Sequence, residues 1–156
     1  MAQVLQGTQA NKTGSLLEST VRNTFSQKGF ALRKFKDYVR GGLGEPEDVL
    51  LSHVPYISIY GHQGKTEFLA LSPSRGLEMR IECKWQQSSG SVDEKFPYLM
   101  ENCKIMPEPQ VLVLVDGKGY KPGALQWLKH EAASYTAKRV LVMDVTEFLI
   151  WANTTL

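Results

Sequence analysis

The stretch Met79-Arg80-Ile81-Glu82-Cys83-Lys84-Trp85-Gln86 carries the side chains best suited to chemistry. Read as a strand, its side chains alternate, so Ile81, Cys83 and Trp85 share one face and Glu82, Lys84 and Gln86 the other. Polar groups then line up on a segment that otherwise has core composition. A carboxylate and an ammonium two positions apart suit a hard divalent cation: the oxygen ligates it, and the ammonium positions a water or offsets charge on a phosphate. Glu67 precedes Glu82 by fifteen positions. If their strands pair across a turn at Ser72–Gly76, the two carboxylates stand side by side and repel unless a metal ion or a shared proton relieves them. The same spacing also fits the solvated face of an edge strand, with Glu82 and Lys84 as ordinary surface residues.

The elements that must hold these groups follow from periodicity. Leu16, Leu17, Val21 and Phe25 recur at helical spacing after a Thr13 or Ser15 cap, and Gly29 ends that helix. Residues 1–12 are polar and read as a loose arm. Ala31 to Arg40 is short, basic and aromatic, and Gly41 to Pro46 is a loop. Val49–Leu51 reads as a short strand. Tyr56–Tyr60, Thr66–Leu71 and Leu77–Trp85 read as an antiparallel meander turned at Gly61–Gly64 and Ser72–Gly76. A helical pattern over Ser91–Lys104 has Pro97 in its first turn if it starts near Lys95. Val111–Val115 and Arg139–Val145 are continuous apolar runs, as strands buried on both faces should be. Helices over Ala124–Ala133 and Thr146–Ala152 complete the order. The class is α/β: a mixed sheet flanked by helices.

Glu67, then Glu82-Cys83-Lys84 with Gln86 after it, on elements in this order, resembles the PD-(D/E)XK nuclease superfamily. The resemblance covers about residues 13 to 145 and implies the restriction-endonuclease-like αβββαβ core. It implies Mg²⁺-dependent hydrolysis of DNA phosphodiesters, with Mn²⁺ as a substitute. In that reading Glu67, Glu82 and the Cys83 backbone carbonyl are metal ligands. Lys84 activates water and neutralises phosphate charge, Gln86 positions water or backbone, and Glu18, on the first helix, completes the acidic shell. The departure from the family pattern is Thr66-Glu67 where Pro-Asp is expected. Asp48, after Pro46-Glu47, is the competing candidate, but it lies off the strand that would neighbour Glu82.

The basic residues Arg33, Lys34 and Lys36, set among Phe30, Phe35 and Tyr38, can contact a DNA backbone. They equally suit a solvated hairpin whose aromatics pack on the core. Lys65 and Lys95 flank the acidic residues and are further candidates for phosphate contact. A chain with this little room for a specificity element must dimerise to cut both strands, recognise a DNA structure such as a junction, or rely on a partner. It is therefore expected to be restriction-like or structure-specific. A homodimer is the usual solution, with Phe148 and Trp151 as candidate contacts. The alternatives are a non-catalytic DNA- or protein-binding module, or a nuclease subunit of a larger complex.

Composition bounds these readings. The 156 residues are 42% hydrophobic and 22% charged, which suits a single domain over 1–156 and excludes disordered, collagen-like and coiled-coil chains. There is no apolar run of membrane-spanning length and no secretory signal pattern, so a cytoplasmic protein without membrane contact is expected. A net charge of +2 permits nucleic-acid binding without arguing for it. Cys83 and Cys103 make no metal or redox spacing and read as reduced thiols. Gly61-His62-Gln63-Gly64-Lys65-Thr66 ends like a P-loop, but Ile59 stands where its first glycine belongs. Gly117-Lys118-Gly119 reads as a tight strand-to-helix connection. His53, His62 and His130 do not cluster, which argues against a zinc site.

Overall fold

The computed structural model describes residues 16–86 and 93–156. The expected arm, the Thr13 or Ser15 cap and the residues Ser91 and Val92 lie outside them. Helix α1 (16–27) is followed by β1 (Ala31–Lys34), β2 (Val49–Ile57), β3 (Gln63–Ser72) and β4 (Leu77–Trp85). Then come α2 (Phe96–Ile105), β5 (Gln110–Asp116), α3 (Pro122–Ser134), β6 (Arg139–Met143) and α4 (Val145–Thr155). The strands form one six-stranded sheet in sequence order. β2, β3 and β4 are antiparallel, whereas β1 runs parallel to β2, and β5 and β6 run parallel to β4. This is the mixed α/β sheet the pattern implied.

Alternation along β4 and β5 divides the core. Phe68, Met79, Ile81, Leu112 and Leu114 face α1 and α4. Val111, Val113 and Val115 face α2 and α3, against Phe96, Met100 and Leu128. Helix α1 buries Leu17, Val21 and Phe25 but leaves Leu16 63% exposed, so the stripe is one residue narrower than the sequence suggests. It ends in a Schellman turn. Gly29 adopts φ 88°, its N–H donates to Ser26 O, and Phe30 N–H reaches back to Phe25 O. The matching apolar contact is an edge-on Phe25–Phe30 pair with centroids 5.0 Å apart. Helix α4 opens on a capping box between Asp144 and Glu147.

Four expectations change. Val49–Leu51 and Tyr56 belong to one strand, because His53 takes φ 56° in mid-strand without shifting the register and Pro55 lies beyond the span paired with β1, where no donor is required. The turn starts earlier than expected, taking in Ser58 to Tyr60. Ala31–Lys34, read as part of a basic connection, is an edge strand. Phe148 and Trp151 are not a dimer contact. Phe148 is fully buried, and Trp151 stacks on it at 6.0 Å and packs against the same core, so both serve this chain's own sheet.

Candidate active site

The site forms where the meander forks. The β3–β4 ladder runs from Ser72↔Leu77 to Phe68↔Ile81. One step further the register would put Glu67 opposite Glu82, and there the backbone pairing stops. Beyond it, β3 stays with β2 while β4 continues beside β5. The Glu67 carboxylate fills the opening: its Oε2 accepts the Cys83 backbone N–H at 2.9 Å. Glu67 is thereby close enough to Glu82 to act on its carboxyl. On the same face of β4, Lys84 Nζ lies 3.2 Å from Glu82 Oε2.

The electrostatics follow from burial. Glu82 is only 3% exposed. Desolvation raises its carboxyl from its ordinary value to about 7; Lys84 opposes the rise and Glu67 adds to it. Burial works against the Lys84 ammonium, but Glu82 and Glu67 more than offset this and hold it above its ordinary value. Glu18 is also raised, by burial and by Glu67, against the pull of Arg22 and His53. Burial pushes Cys83 well up and Cys103 up to about 12, so both thiols stay protonated and free.

The carboxylates and Lys84 are reached by different elements. Glu18, on α1, ion-pairs with Arg22 at 3.8 Å and lines a hollow of about 170 Å³ with His53, Lys65 and Glu67. An adjoining hollow of about 300 Å³ is lined by Lys34, Lys36, His53 and Lys65. A third, beside Arg22 and Phe68, takes in Arg33 and Lys34. Arg33, Lys34, Lys36 and Lys65 therefore border neighbouring hollows that share lining residues, one of which reaches Glu18 and Glu67. Lys95 lies apart from it, in the 3-10 turn Asp93–Lys95 that leads into α2.

Gln86 is buried and donates its amide N–H to Gly119 O at 2.8 Å, while Gly119 N–H returns to Gln86 O at 2.9 Å. It ties the loop after β5 to the end of β4. Gly117 is required there: its φ is 109°, and a Cβ would lie 2.0 Å from Gln86 O. Tyr120 from the same loop donates to Lys84 O at 2.8 Å, fixing the lysine's backbone. Asp48, the competing carboxylate, is committed elsewhere. It accepts from Ser72 Oγ and Arg75 Nη1, each at 2.6 Å, and braces the β3–β4 turn.

Sequence reasoning missed three contributors. His53 lines both hollows next to Glu67's strand, and a left-handed φ in mid-strand has no sequence signature when the residue is not glycine. Arg80, 3% exposed, makes a two-pronged bond to Glu108 at 2.6 and 2.7 Å and donates to Val54 O, Pro55 O and Thr66 Oγ1. It thereby clamps β2 and β3 beside the fork. Tyr56 lies between the site and α2: burial, Glu82 and Tyr98 all raise its hydroxyl. The signal for Arg80 was a charged residue on a strand of core composition.

Two carboxylates close together, one of them buried, with a lysine on the same face, define a centre of hard oxygen donors. That donor set fits a divalent cation, which can replace the Glu82 proton as the charge that relieves the pair. Among the described residues no three His, Cys, Asp or Glu side chains gather as a metal cage. The oxygens that could hold a cation are the two carboxylates and the Cys83 carbonyl in the same stretch of β4. The model of the PD-(D/E)XK nuclease superfamily domain matches residues 9–156, and the chain belongs to that superfamily. It is a superfamily of nucleases that typically use divalent metals. No curated protein and no solved structure matches the chain. Among the described residues no helix is long and apolar enough to cross a membrane.

Proposed function

We propose that this chain is a Mg²⁺-dependent DNA endonuclease whose active site is Glu67, Glu82 and Lys84, with Glu18 as the outer carboxylate. The observation that carries the reading is the fork itself: the ladder ends where Glu67 would face Glu82, Glu67 Oε2 takes the Cys83 N–H at 2.9 Å, and Lys84 Nζ lies 3.2 Å from Glu82 Oε2. Glu67, Glu82 and the Cys83 carbonyl would hold the cation, which when bound supplies positive charge against the phosphate oxygens and makes a water more acidic. Lys84 orients the attacking water and places its ammonium against charge that builds up on the phosphate. Glu82, released from its proton, keeps Lys84 ionised and in place. Tyr120 and Gln86 hold the backbone on which Lys84 stands. The hollows bordered by Arg33, Lys34, Lys36 and Lys65 supply phosphate contacts that lead a strand to Glu67. Two copies of the chain would cut opposite strands of a duplex as a homodimer.

The test is cleavage of supercoiled plasmid and of branched duplex in Mg²⁺ or Mn²⁺, with EDTA and Lys84→Ala as controls. Loss of one preorganised charge at the reacting phosphate should lower the rate by about 10²–10³-fold. Folded protein that cuts neither substrate, or a Lys84→Ala protein that cuts as fast as the parent, refutes the proposal.

A further inference from the structure

At the end of the β2–β3 hairpin, beside the fork, lies an aromatic surface that the catalytic reading does not use. Tyr60 is 69% exposed and Ile57 56% exposed, with Ile59 and Tyr98 next to them. Tyr60 of the hairpin stacks on Tyr98 of α2, with centroids 5.4 Å apart and planes 19° from parallel, and His62 adjoins Tyr60 at 6.4 Å. Isolated exposed hydrophobics are ordinary, but a stacked pair held rigid is not. Its rigidity is built in. Buried Ser58 Oγ accepts from Tyr60 N–H and His62 N–H, Gly61 takes φ 76°, and Ile59 N–H donates to Asn102 Oδ1 at 2.9 Å. Asn102 is 1% exposed, so a buried amide from α2 holds the hairpin tip in place.

The platform and the site share a neighbour. Tyr56 packs on the core beneath α2, has the Arg80 guanidinium 5.9 Å from its ring, and is acted on by Glu82, Lys84 and Tyr98. Along β3, Gln63 at the hairpin end and Glu67 are four residues apart, roughly 13 Å at the usual rise per residue. A stacked strand rises about 3.4 Å per nucleotide along its axis, so this distance corresponds to about four nucleotides. Exposed Lys65 lies midway and can take the intervening phosphates. A strand entering the fork would pass both. Inside a duplex the ring faces of bases are covered by their neighbours, so a protein aromatic can stack only on a base that is unpaired, flipped or at a break.

We propose that the Tyr60–Tyr98 pair is a stacking platform for an unpaired nucleobase, so that the preferred substrate is DNA with single-stranded bases a few nucleotides from the cut. This rests on the nuclease reading for the position of the cut, but its test is binding. The full chain carrying Lys84→Ala is titrated in EDTA with an intact duplex and with the same duplex bearing a short gap that contains 2-aminopurine. The gapped DNA should bind more tightly, and its fluorescence should be quenched on binding. Adding Tyr60→Ala should abolish the quench and weaken gapped binding by about 5- to 150-fold while leaving duplex binding unchanged, and Tyr60→Phe should restore both. Equal affinity for the two DNAs, no binding to either, or unchanged gapped binding in both Tyr60→Ala and Tyr98→Ala overturns the proposal. The last result would make the patch a protein contact. Selective binding without cleavage by the parent chain would refute the nuclease reading alone.

Discussion

Removing the charge of Glu82 should make the metal-free protein more stable above neutral pH. The carboxyl is raised from 4.5 to about 7 in the folded chain because it is buried, with Glu67 against it. A folded value above the unfolded one means that the native state holds the proton more tightly. The resulting stabilisation is complete below pH 4.5 and disappears as the pH rises through about 7. At about 1.4 kcal/mol per pKa unit, the wild type should lose about 3 kcal/mol from this group between pH 4.5 and 8. Glu82→Gln has nearly the same shape, keeps a hydrogen-bonding oxygen and cannot ionise. The assay is urea unfolding of both proteins in EDTA at several pH values, taking the difference so that other titrating groups cancel. The variant should gain on the wild type as pH rises, by up to that amount at pH 8, and Mg²⁺ at pH 8 should restore stability to the wild type alone. A difference that stays flat from pH 4.5 to 8, or one that moves in the wild type's favour, would show that Glu82 is not held protonated by its surroundings.

Replacing Arg33, Lys34 and Lys36 together by Ala should weaken DNA binding and reduce the slope of log affinity against log salt by about 0.9 per lost phosphate contact, measured by anisotropy over a salt series. Glu108→Ala should cost about 3–5 kcal/mol in urea unfolding, because it leaves the Arg80 guanidinium buried without its carboxylate. Gly117→Ala should fold poorly or lose the tie between Gln86 and Gly119, read as a lower midpoint in thermal unfolding, since its Cβ would lie 2.0 Å from Gln86 O.

Much of the fold was legible because it depends on periodicity. The apolar run Val111–Val115 is a buried strand as expected. Arg139–Val145, expected to be buried on both faces, instead gives the edge strand β6 (Arg139–Met143), in which only Val140 is buried. Pro97 is tolerated near a helix start, where it lies. Glu67 could be set beside Glu82 because a tight turn fixes the register of the strands it joins. What the pattern could not supply was the end of that pairing. The ladder stops at Phe68↔Ile81, and beside that point lie the left-handed backbone of His53 and the Arg80 clamp, which joins residues far apart in sequence. The aromatics of α4 show a related difficulty. Phe148 and Trp151 have the composition of an interface, and only the position of Phe25 decides that they complete this core instead.

The fork also explains how the fold tolerates so unfavourable a pair of side chains. Glu67 and Glu82 meet because β3 has given up its backbone pairing with β4, and Glu67 uses the N–H of Cys83 that pairing would have claimed. One carboxylate thereby replaces a ladder bond and keeps a buried donor satisfied. Opening the sheet on that side has its own cost, and Arg80 offsets it from beneath by joining β4 to β2 and β3 through Val54 O, Pro55 O and Thr66 Oγ1. The charge on Arg80 is balanced by Glu108 rather than by the site carboxylates. Lys84 neutralises part of the charge on those carboxylates, from a half-buried position against Glu82. In the proposed nuclease, a divalent cation at the fork would take over from the Glu82 proton the task of relieving the repulsion between the two carboxylates.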